Sequence, residues 1–239
     1  MESKSKQTFR QRLEYSKQYL QTVYGTLQFV SKELKGKPKE DKICDYIGKS
    51  FKVLNQPITQ VERIFNYSKM NICKYYIIEL YRAFDEYLRN CIREVFSNKS
   101  EKVLGLCEKS LSFTGAEIVK LKNYENICDN LVAKIYRELE SSQSTKKLLD
   151  KFIKTFKLSI EKDVETNALA VLELRHLIIH NNSLIDNKYQ VSFPKMKLKT
   201  DDKIPTRFNI VASLEKKLIP LIDNIDKELI KGKLVNAIS

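Results

Sequence analysis

Apolar residues recur along most of this chain every three or four positions, the period of a helix with one buried face. Strict alternation is nearly absent. From about Gln7 to Leu34, leucines stand seven apart at 13, 20, 27 and 34, with Val23 and Val30 between them and Ser16 breaking the set. This predicts one long helix whose seam could serve a two-stranded coiled coil or close a bundle within the chain. We read it as the bundle.

GKPKEDK (36–42) predicts a charged connection, a short amphipathic helix follows around Asp45 to Leu54, and NQPIT (55–59) marks a turn. The strongest pattern runs from about Asn71 to Phe96. There Ile77, Leu80, Tyr81, Phe84, Leu88, Cys91, Ile92 and Val95 form one broad apolar stripe, the mark of a central core helix. Residues 97–118 are mixed, and SLSF within them suggests a short extended piece. Two further helices are predicted near Tyr124 to Glu140 and Ser144 to Phe156, with Ser142 or Ser144 as an N-cap of the second.

The next helix spans about Asp163 to His180 and is stopped by Asn181, Asn182 and Ser183, since asparagine tolerates the left-handed conformation that ends helices. Tyr189, Val191 and Phe193 alternate like a strand, with turn chemistry at Asp201 and Asp202, so a small β-hairpin is the most that follows. A last helix from Asn209 to Lys231 carries Pro220, which predicts a kink. The fold class is therefore all-α, with residues 1–68 an N-terminal helical extension packing on or continuing the bundle and residues 69–239 the main helical domain. Six glycines and five prolines in 239 residues leave little else to build with.

Composition changes this picture in two ways. The five cysteines, at 44, 73, 91, 107 and 128, are odd in number and contain no C-x-x-C pair, so neither a disulfide framework nor a zinc ribbon is indicated. With a charged first thirty residues and no long apolar run, the expectation is a cytoplasmic protein that does not enter a membrane. The net charge of +13 makes a polyanion a natural partner, although a solvated basic surface would read the same way.

Both histidines of the chain fall in RHLIIHNNSLIDNKY (175–189), beside Arg175. On a regular helix His176 and His180 lie about 40° apart and Arg175 about 140° from His180, so the three converge only if the helix end unwinds. Three interpretations follow. As a metal site, H-L-I-I-H has the spacing of a zincin pair but lacks its glutamate and a third histidine. As packing, the histidines could satisfy backbone groups while Arg175 pairs with Glu173 or Asp186. As a phosphodiester site, imidazole, with a reference pKa of about 6.5, can move a proton at neutral pH, and a guanidinium can brace a phosphorane through paired bonds, with no metal required.

R-H-L-I-I-H is an R-x4-H match. Together with N-N-S-L-I-D-N-K-Y after it and Y-R-A-F-D-E-Y-L (81–88) upstream, it resembles the HEPN superfamily, sharply at 175–189 and in layout from about Asn71 to Leu229. The resemblance implies an α-helical homodimer that cleaves RNA without a metal or other cofactor, through attack of the 2′-hydroxyl, as a toxin, abortive-infection or antiviral effector, with a cognate antitoxin or defence partner possible. It assigns Arg175 to the scissile phosphate, His180 to acid/base work and His176 to orienting phosphate or ribose. Asp85 corresponds to an acidic position that would hold Arg175, with Glu79 and Glu86 as rivals. Asn181, Asn182 and Lys188 would contact RNA, and Lys195, Lys197 and Lys199 either track its backbone or stay solvated. A HEPN-like module that binds RNA or protein without catalysis, and a structural protein that oligomerises through its first helix, are the alternatives.

Overall fold

A computed structural model describes residues 1–104, 106, 114–140 and 144–238; among these the regular elements are all helices, and the β contacts are three isolated bridges. The segment SLSF, Ser142 and Cys107 lie outside the described residues. Helix α1 (Lys4–Lys35) starts on the hydroxyl of Ser3, which accepts from the Lys6 N–H. After a short helix α2 (Ile43–Ile47) and two single 3₁₀ turns, α3 (Val61–Leu104) begins directly behind Pro57 and Ile58 and runs to a non-helical residue, Lys99.

Helix α3 thus starts ten residues earlier than the apolar stripe predicts. Those residues serve a second, smaller core in which Val61 and Phe65 meet Leu34, Ile43 and Ile58, so their periodicity is shared between two clusters. Helices α1 and α3 are antiparallel: Lys35 pairs with Glu62 (2.5 Å), Tyr19 meets Tyr75 and Phe9 meets Tyr87, each at 5.8 Å between rings. The leucine seam is buried here, with Leu13, Leu20 and Leu34 covered and Leu27 partly so. It closes the bundle within one chain.

Along α3, Tyr76, Ile77, Leu80, Phe84, Tyr87, Leu88, Cys91 and Ile92 are fully covered. Each large apolar side chain of this kind contributes about 1.5–3 kcal/mol by leaving water. Against α3 pack α5 (Tyr124–Glu140), α6 (Thr145–Phe156) and α7 (Lys162–His180), while α4 (Gly115–Leu121) packs on α5. Ser144 caps α6, accepting from Lys147 N–H.

Helix α7 is the inner helix. Residues 168–172 are all buried, Ala168 and Ala170 keeping the helix close to its neighbours α3 and α10 (Glu215–Lys231). The last helix is divided: α9 (Phe208–Ser213) ends before Leu214, and α10 then runs on through Pro220. The predicted kink therefore falls upstream of the proline. Pro220 faces solvent, where water can take the Lys216 carbonyl that lost its helical donor.

The alternation at 189–193 is helical, not extended. Asp186 accepts from Tyr189 N–H (2.6 Å) and starts α8 (Asn187–Ser192), in which Tyr189 and Phe193 share one face at 5.0 Å and Val191 points outward, 71% exposed. In place of a hairpin there is one antiparallel bridge, Leu184 to Lys203. Among the described residues no helix is long and apolar enough to cross a membrane.

Candidate functional site

Helix α7 stays regular to its last residue and unwinds only afterwards. Asn181 N–H still bonds Leu177 O (3.1 Å), whereas Asn182 (φ 51°) and Ser183 (φ 64°) are left-handed and turn the chain so that Ser183 N–H also reaches Leu177 O (3.0 Å). The Asn181 side chain closes the turn by donating to Leu184 O (2.8 Å). Beyond it, the backbones of Ser183 and Ile185 bond those of Ile204 and of Asp201 and Asp202, stapling the segment to the body of the protein.

This end of α7 opens on a pocket of about 740 Å³ walled by the start of α6, one face of α7, α8 and Tyr81 of α3. Arg175, His176 and His180 all line it, although the helix between them does not unwind. The imidazoles lie 4.8 Å apart between ring centres and are tilted by 44°, as i, i+4 neighbours can be. Arg175 reaches in from the side of that stripe, its guanidinium carbon 4.8 Å from the centre of the Tyr81 ring, a cation–π distance. No ion pair joins Arg175 to Glu173 or Asp186, although both line the same pocket. No hydrogen bond among the described residues fixes either imidazole.

The expected acidic support is absent from this place. Asp85 lies one turn further along α3, where it accepts from Arg89 Nε (3.1 Å) and the Tyr136 hydroxyl and docks α5. Glu79 pairs with Arg82 (2.8 Å) and Arg12 (3.4 Å), and Glu86 with Arg12, so both rivals face α1. The surface beneath the guanidinium belongs to Tyr81, which the apolar stripe had assigned to the core. No spacing in the sequence marks it, because the contact joins residues far apart in the chain.

Lys188 lines the pocket as expected, joined by Lys146 and Lys162. Asn181 and Asn182 do not: they make the turn. Lys195 is paired with Asp163 (2.9 Å). Glu165 is held by Lys162 (3.0 Å), and Asp186 by its cap. Among the described residues no three His, Cys, Asp or Glu side chains are grouped to hold a metal ion.

The arrangement offers a guanidinium resting on the Tyr81 ring, two adjacent imidazoles open to solvent and surrounding lysines, all lining one cavity. Such a set can hold a phosphate and exchange protons beside it. No family model, curated protein or solved structure matches the chain.

Proposed function

We propose that the pocket at the end of α7 is an RNA-cleaving site of the HEPN type. Arg175 binds the scissile phosphate and stabilises the charge that builds on it. His180 acts as acid or base, and His176 orients the phosphate or ribose. The nucleophile is the adjacent 2′-hydroxyl, so the products are a 2′,3′-cyclic phosphate and a 5′-hydroxyl, with no metal needed. One observation supports this reading: the guanidinium and both imidazoles share a cavity while, among the described residues, no carboxylate pairs with the arginine.

A single chain supplies one His180 for two proton transfers. A homodimer with its two-fold axis beside the pocket would bring a second imidazole, which is the arrangement we assign to the active form. The setting consistent with this chemistry is a cytoplasmic toxin or phage-defence effector restrained by a partner protein.

Purified protein should cut RNA in EDTA, leaving cyclic phosphate ends, and Arg175→Ala and His180→Ala should abolish cutting with the helical signal unchanged. Cutting that survives both substitutions refutes the site. A second reading, an RNA- or protein-binding module without catalysis, is favoured by the free imidazoles, since a catalytic histidine is ordinarily oriented by a third group. RNA binding that is retained in His180→Ala, with no cleavage by the wild type, would establish it.

A further inference from the structure

One face of α3 leads out of the pocket. Tyr67, Asn71, Lys74, Ile78 and Tyr81 succeed one another by four, three, four and three residues, so they form a single stripe ending beneath Arg175. From Tyr67 to Tyr81 the stripe is about 21 Å long at the rise of an α-helix, and α3 is uninterrupted there. Every member is accessible, and Tyr67 is 63% exposed. Beside it Tyr75 (43%) and Tyr19 of α1 (52%) meet edge to face, presenting more ring surface to solvent.

The core beneath this face is completed by Tyr76, Ile77 and Leu80, and Tyr75 and Tyr19 keep about half of their surface in solvent even where they meet. Among the described residues no carboxylate pairs with Lys74. Rings with an unpaired cation between them, on a chain of net charge +13, match a flexible polyanion that carries flat apolar groups. A duplex hides its bases, so the matching ligand is single-stranded.

We infer that this stripe is a stacking track for single-stranded RNA, delivering the strand to the phosphate held by Arg175. Bases lie on Tyr67 and Tyr75, Lys74 meets the backbone, and Tyr81 marks the entry to the pocket. The choice of RNA over DNA rests on the cleavage reading above. The track itself does not.

The test separates the two. Fluorescence anisotropy of a 12-nucleotide oligouridylate carrying 2′-O-methyl groups measures binding without cleavage, alongside the same backbone without bases. Wild-type protein should bind the base-bearing strand at least tenfold more tightly than the abasic one. Tyr67→Ala and Tyr75→Ala should each weaken binding about tenfold with an unchanged salt slope, and Lys74→Ala should lower that slope by about one. Equal binding of the two strands, or unchanged affinity in both tyrosine variants, overturns the track. So does light scattering that shows a wild-type dimer split by Tyr67→Ala with Tyr75→Ala, since the face would then be a protein interface. Tyrosine-dependent binding by a protein that cuts no RNA keeps the track and removes the nuclease.

Discussion

Charge is treated in opposite ways along the first half of α1 and at the end of α7. Beside α1, Asp226 and Glu215 are buried and Glu94 partly so, and each has fixed partners. Asp226, 1% exposed, accepts from the Ser3 N–H and hydroxyl and lies near Lys6; Glu94 accepts from Ser5; Glu215 accepts from Lys17 (2.7 Å) and the Tyr76 hydroxyl (3.0 Å). Where α7 ends, Arg175, His176 and His180 are accessible and, among the described residues, no carboxylate pairs with them. A desolvated carboxylate persists only where donors are already placed, so the first set holds the fold together. The second set costs little to leave in water and is free to meet a ligand.

The largest effect that would sharpen this contrast is on cleavage. Arg175→Ala or His180→Ala should lower the rate by about a hundredfold or more while stability in urea changes by less than about 0.5 kcal/mol. A loss above about 2 kcal/mol in either variant would break the comparison, because the motif would then be part of the scaffold. Next comes Asp226→Ala, which strands the donors of Ser3 and should cost about 3 kcal/mol in the same titration. Tyr76→Phe removes one bond to Glu215 and should cost about 1 kcal/mol, read as a lower urea midpoint with the slope unchanged.

The last effect, which vanishes at neutral pH, is a pH dependence. Burial pushes the Cys73 thiol up from 9.0 to about 11. Below pH 9 it is neutral in both folded and unfolded chains, and its contribution is complete. Between pH 9 and 11 the unfolded chain ionises first, so stability falls as pH rises. Cys73→Ala should flatten that part of the stability curve.

Much of this could be read from the residues, for reasons that differ by element. Helices α5, α6 and α7 coincide with their predicted spans because each buries one consistent face and has clear end signals, Ser144 at one helix and the asparagine pair at another. The segment after the motif was misread as extended because Tyr189, Val191 and Phe193 alternate. Two of the three sit four apart on a helix, and only burial shows that the middle one is excess. The convergence of Arg175 with the histidines was expected to require an unwound helix. It does not, because the long arginine side chain leans on Tyr81. That contact joins residues 94 apart, and no local spacing records it. Likewise, the acidic candidates near Tyr81 turned to Arg12, Arg82 and Arg89, cations of the chain whose partners are chosen by packing.

The bridge between Leu184 and Lys203 makes the intervening nineteen-residue step from one to the other a detour that leaves and returns at one spot. Its far side, around the exposed Lys197 and Thr200, can be lengthened at slowly rising entropic cost without transmitting a displacement to the end of α7. A peptide tag or reporter grafted there would ride beside the pocket and leave its floor in place.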